Sequence, residues 1–178
     1  NAIKRLSTFH PERPMPKIFR LVKNGKLIEG VYEGETLNTP SMFCVADALD
    51  SLMWIKEIGG LTETIRRSNE NFKCLQGWVD KTPWIENLVS DPRNRSNTSV
   101  CLKFSDERLI SLIPDEKTRF VKEFVALLEA ENAAFDIKGH RNAPPGLRIW
   151  CGATINLDDI RKLLPWLEYC FHEIISSY

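Results

Sequence analysis

"IKGHRNAPPGLRIW", residues Ile137–Trp150, is the stretch on which the fold turns. Pro144 and Pro145 cannot continue a helix or sit in a central strand, and Gly139 and Gly146 bracket them. The stretch therefore predicts a stiff bend between two extended segments, "AAFDI" ending at Ile137 and "LRIWCGA" beginning at Leu147.

Working outward on the C-terminal side, "NLDDIRKLLPWLEYCFHEII" predicts a closing helix capped by Asn156, with Asp159 three residues on and a kink at Pro165. On the N-terminal side, "PDEKTRFVKEFVALLEAEN" predicts a helix with Pro114 in its first turn beside acidic residues. "NTSVCLKFS" alternates and is β-branched, so Ser99–Phe104 is expected as a strand, and "PWIENLVS" as a short strand or link. Leu61, Ile65, Phe72, Leu75 and Val79 recur at helical spacing up to Thr82-Pro83. The order from residue 61 onward predicts an α/β chain of the α+β kind, a small, mainly antiparallel sheet covered by helices on one face.

Further upstream, "LNTPSMFCVADALDSLMWIKEIGGL" reads as a helix with Thr39 as cap, Pro40 in the first turn and Gly59-Gly60 at its end. Phe43, Ala46, Leu49 and Met53 give it an apolar face. "KIFRLVKNGKLIEGVYEG" places two β-rich runs around Asn24-Gly25, a hairpin signal. "HPERPMP" is expected as an extended connector, and the opening "NAIKRLSTF" as a helix. Beginning on Asn1 rather than Met, the chain reads as a piece of something longer.

Lys+Arg and Asp+Glu balance at 24 each over 178 residues, so no general field draws the chain to nucleic acid or an acidic membrane. No apolar run is long enough to span a bilayer. The five cysteines are widely spaced, with no CxxC pair, as reduced core thiols are. "NRS" and "NTS" at Asn94 and Asn97 are sequons without a signal peptide ahead of them, and the expected compartment is the cytoplasm.

Chemistry is concentrated in the opening stretch, where His140, Arg141 and Arg148 fall within nine residues. An arginine fork suits a carboxylate, and a protonated histidine beside a second arginine suits a phosphate dianion. With both ends of the bend facing one pocket, the three would take a doubly anionic small molecule. On residue types alone the commoner outcome is plainer, with both arginines in surface ion pairs and His140 a satisfied loop residue. Asn38 and Thr39 stand at a helix start that offers N–H groups to a phosphate, although taken alone a Thr-Pro start is more often plain capping. "RNRSNTS", Arg93–Ser99, reads as a solvated turn. A P-loop, a GxSxG elbow, an HExxH helix and metal-like Cys/His spacing are all missing from the sequence.

"LNTPSMFCVADALDSLMWIKEIGGL", "NRSNTSVCLKF" and "IKGHRNAPPGLRIWCGAT", in that order, resemble the C-terminal portion of the phosphoserine aminotransferases, in the class V pyridoxal-phosphate aminotransferase family. "PMPKIFRLVKNGKLIEGVYEGETLNTPSM" resembles their alphaproteobacterial and archaeal subgroup. The resemblance implies the aspartate-aminotransferase-like fold type I. It divides the chain into residues 1–39 as a remnant of the large cofactor-binding domain, 40–60 as a connecting helix and 61–178 as the small domain. It gives His140 and Arg141 the substrate phosphate, Arg148 the α-carboxylate, and Asn38 and Thr39 the phosphate of pyridoxal 5'-phosphate across a homodimer interface. The implied reaction carries an amino group from glutamate to 3-phosphohydroxypyruvate, yielding phosphoserine and 2-oxoglutarate in serine biosynthesis.

In one respect the chain departs from the family. The catalytic lysine lies in a Ser-x-Lys-x-x-Gly-Gly-like setting that none of these lysines has, so 178 residues alone are expected to be inactive. Two other readings stand beside this one. A class V enzyme acting on alanine or serine with glyoxylate would have no need of His140-Arg141, and a non-enzymatic ligand-binding module would begin at its own start codon.

Overall fold

The computed structural model describes residues 2–178; Asn1, and with it the reading of how the chain opens, lies outside them. The chain divides into two compact units, one reaching to Trp54 and the other Ile55–Tyr178.

The first unit opens with α1 (Ala2–Thr8), followed by the proline-rich connector. A hairpin of two very short strands comes next, β1 (Val22–Lys23) and β2 (Lys26–Leu27), paired antiparallel. Asn24 (φ 52°) and Gly25 (φ 73°) both adopt the left-handed backbone of a two-residue turn, which is why Asn-Gly signals one. Single 3-10 turns at Lys17–Phe19 and Glu29–Tyr32 flank it where longer strands were expected. Helix α2 (Met42–Glu57) begins two residues later than the Thr-Pro pair suggests. Ser41 rather than Thr39 caps it, its Oγ accepting from the Cys44 N–H at 3.4 Å. Among the described residues up to Trp54, none is buried.

The second unit is built differently. α3 (Gly60–Val79) starts after Gly59 (φ 116°), so the predicted Gly-Gly break is real. Of its apolar stripe, Leu75 and Val79 are buried, whereas Leu61 and Ile65 are exposed. β3 (Ile85–Asn87), β4 (Ser99–Phe104) and β5 (Leu147–Trp150) form an antiparallel sheet in the order β3-β4-β5, with Ile85 opposite Phe104 and Leu102 opposite Leu147. Strand alternation sends Val100, Leu102, Leu147 and Ile149 into the core. α4 (Glu107–Ile110), a single turn capped by Asp106, precedes α5 (Pro114–Ala130), and α6 (Leu157–Ile175) packs against both α3 and α5.

The predicted strand "AAFDI" does not form. Asn132 (φ 54°) and Asp136 (φ 51°) turn the backbone there, and only Lys138 makes a bridge, to Leu147. Nor does the Asn156 side chain cap α6; its Oδ1 accepts from Arg67 at 3.0 Å instead.

Aromatic rings fill the centre of this unit. Trp84 stacks on Phe171 at 4.1 Å, and Phe104 meets Phe120 edge-on at 4.9 Å. The Glu168 carboxylate accepts from Trp78 Nε1 at 2.8 Å and Trp84 Nε1 at 3.3 Å, tying α6 to the α3–β3 turn. Among the described residues no helix is long and apolar enough to cross a membrane.

Candidate functional site

The bend between Ile137 and Trp150 is clipped at its base by backbone bonds. Gly139 N–H donates to the Gly146 carbonyl at 2.9 Å, and Arg148 N–H to the Ile137 carbonyl at 2.8 Å. Gly146 is required by packing, because a Cβ there would drive into the carbonyl oxygen of Leu102 on β4. Residues 140–145 are thereby lifted as a short excursion from the edge of β5. Inside it, Ala143 N–H donates to the His140 carbonyl at 2.8 Å, closing a turn.

His140 and Arg141 are exposed and border a hollow of about 230 Å³, which the bend forms with Thr118 and Val121 of α5. Lys138 borders the same hollow, a further basic residue beside Arg141 that spacing alone did not single out. Asn142 N–H donates to His140 Nδ1 at 3.2 Å. That bond leaves Nε2 as the ring nitrogen able to donate to an anion.

Arg148 sits on the opposite face of β5 from Leu147 and Ile149, half-buried. It lines a second hollow, of about 560 Å³, together with Phe135, Asp136, Trp150 and Asp159. Its Nη2 donates to Asp136 Oδ2 at 3.2 Å. The two ends of the bend therefore border separate hollows in this unit, and the single shared pocket expected from sequence is not formed within it. Asp136 was missed as a partner because "AAFDI" was read as a strand; its left-handed backbone is what sets it beside Arg148.

Beyond β5, the chain is fixed by residues that sequence reading passed over. Asn71 is buried, and its amide donates to the carbonyls of Cys151, Gly152 and Ile155 at 3.4, 3.3 and 2.9 Å. Arg67 Nε donates to the Ala153 carbonyl at 2.7 Å. One signal was available, since Asn71 stands four residues before Leu75 in the apolar phase of α3, where a polar residue needs a partner.

Asn38 and Thr39 lie in the bend ahead of α2, exposed, and neither side chain bonds within the described residues. An amide, a hydroxyl and the N–H groups of a 16-residue helix suit a phosphate group by their chemistry. The "RNRSNTS" segment is a local turn, as read. Arg93 pairs with Asp91 at 2.8 Å, and Arg95 donates to the carbonyls of Val89 and Ser90 at 2.8 and 2.9 Å.

Comparison with known proteins bears on this site. No family model matches the chain. A phosphoserine aminotransferase of Methanosarcina mazei is 44% identical over 172 residues, covering 96% of this chain and 43% of its own length. One of Methanosarcina barkeri is 43% identical over 173 residues, covering 96% of this chain and 44% of its own. The chain thus spans less than half the length of these curated relatives. Among solved structures, a phosphoserine aminotransferase of Bacillus circulans subsp. alkalophilus superposes with a TM-score of 0.68 at 22% identity, over 89% of this chain and 39% of that one. A pyridoxal-phosphate-bound phosphoserine aminotransferase of Trichomonas vaginalis gives 0.63 at 22%, over 78% and 36%. The fold is the α/β fold of part of those enzymes.

Proposed function

We propose, on the premise that this chain is homologous to phosphoserine aminotransferases along 96% of its length, that it is the C-terminal part of such an enzyme. In this reading residues 1–39 belong to the edge of the large domain, 40–60 to the connecting helix and 61–178 to the small domain. The whole enzyme passes an amino group from glutamate to 3-phosphohydroxypyruvate. The relation to the Methanosarcina proteins, which runs through the bend and both hollows, carries the assignment.

Each residue has a physical role. Arg141 and the Nε2–H of His140 hold the substrate phosphate at the smaller hollow, where Lys138 adds positive charge. Arg148, held on a strand by the sheet register, orients the α-carboxylate. Asn38 and Thr39 would hold the phosphate of pyridoxal 5'-phosphate, in the partner subunit's site of a homodimer. That cofactor supplies the electron sink for exchanging an amino group between two carbon skeletons. The lysine that attaches it belongs to the larger domain, so the 178-residue chain by itself does not transaminate. Five free thiols suit a reducing cytoplasm.

Substitution in the full-length enzyme tests the phosphate assignment. Arg141→Met is expected to raise KM for phosphoserine about 10- to 100-fold, the range for losing a charge-assisted hydrogen bond, while the glutamate half-reaction stays within about two-fold. Equal loss on both substrates, or no loss on either, would sink it.

A further inference from the structure

We propose that Asp136 is a built-in stand-in for the substrate carboxylate on Arg148, released when substrate arrives. This rests on the reading of Arg148 as the α-carboxylate anchor. Three observations carry it.

First, Asp136 is placed beside Arg148 by backbone rather than by chance of a long side chain. The Arg148 N–H bond to the Ile137 carbonyl and the Lys138–Leu147 bridge clip residues 137–138 along β5, and the left-handed turn at Asp136 (φ 51°) sets its carboxylate against the guanidinium. Second, the engagement is partial. Asp136 accepts one bond, from Nη2 at 3.2 Å, and among the described residues Arg148 makes no other side-chain bond. The fork that could grip a carboxylate through two parallel bonds is half used. Third, the pair is easily exchanged. The Asp136 side chain is 90% exposed, so it can return to water at little cost, while Arg148 at 37% stays anchored on its strand. Asp159 also lines this hollow, but among the described residues the ion pair of Arg148 is with Asp136.

One carboxylate replacing another leaves the charge around Arg148 unchanged between the empty and the loaded state. Asp136 also keeps the guanidinium at the hollow's wall, so the anchor is in place before substrate binds. It competes with every substrate that presents an α-carboxylate, whatever else that substrate carries.

The test uses the full-length holoenzyme and both half-reactions. Asp136→Asn keeps the left-handed backbone tolerable and removes the charge. It is expected to lower KM for glutamate and for phosphoserine alike, about two- to five-fold as for an exposed ion pair, with kcat unchanged. Asp136→Glu restores the parental KM. In an Arg148→Met background, which itself raises both KM values, Asp136→Asn has no further effect. A rise in KM with Asp136→Asn would make Asp136 a mere support for Arg148 and overturn the inference, as would no change or an effect on phosphoserine alone. If Arg148→Met left both KM values where they were, the anchor reading itself would fall.

Discussion

The units on either side of Trp54 spend their apolar residues in opposite ways. In the second, Leu75, Phe120, Phe124, Leu128 and Leu147 are fully enclosed, around a sheet whose strands alternate inward and outward. In the first, Met42 and Phe43 are both 77% exposed and Leu52 62%, and α2 buries no residue at all. The compositions of the two are alike enough that hydrophobicity alone does not separate them. What differs is whether the complementary surface lies within the unit itself. A sheet with helices on one face closes its own core, whereas one long helix and a hairpin of four residues cannot. A helix face so apolar, with nothing in its own unit to cover it, has the pattern of an element that packs against a larger body.

The sharpest way to break this contrast is to delete the same side chain in both units. Phe124→Ala is expected to lower stability by about 3–5 kcal/mol, the cost of emptying an aromatic site in a packed core. In the 178-residue chain, Phe43→Ala should stay within about 0.5 kcal/mol, as exposed substitutions do. Denaturant midpoints of the two variants, read at equal slope, measure the difference. Similar losses would mean that the first unit has a core of its own.

Next in size is the lock behind β5. Asn71→Ala leaves the Cys151, Gly152 and Ile155 carbonyls without their shared donor, and about 1–3 kcal/mol is expected to be lost. Since those carbonyls lie just past the strand that carries Arg148, hydrogen exchange should rise at residues 151–156 and stay low in α5. A uniform rise throughout the second unit would show that Asn71 supports the whole core rather than this bend.

How much could be read from the chain follows the same division. β4 matched its expected span of Ser99–Phe104 residue for residue, because alternation there is enforced by a core on one side. The Asn24-Gly25 turn was legible because its backbone demand is local. The failures came where tertiary partners decide. Asn156 gave up its cap to Arg67, 89 positions away in sequence. "AAFDI" looked like a strand by residue type, yet two left-handed residues turn it, and local propensity does not report that. The site was half legible. The cluster of His140, Arg141 and Arg148 stood out from spacing, but its division between two hollows follows from strand pleat and from Asp136.

The smallest effect concerns the cysteines, and it reads the contrast between the units without perturbing either. Cys44 on α2 is exposed, whereas Cys151 and Cys170 are completely enclosed. Burial pushes the Cys151 thiol from its ordinary 9.0 up to about 12, and Cys170 up to about 11. At pH 8 both are protonated as well as covered, so a thiol reagent should label Cys44 within seconds to minutes and reach the other two only through unfolding. The sign of the pH effect follows from the same burial. Both groups stay protonated in the folded chain while the unfolded chain ionises near 9, so the stability they confer is fully present below that pH and is lost as pH climbs toward 11 and 12. A labelling rate at Cys151 that followed pH without following denaturant would place that thiol at the surface, and the enclosed core that distinguishes the second unit from the first would no longer hold.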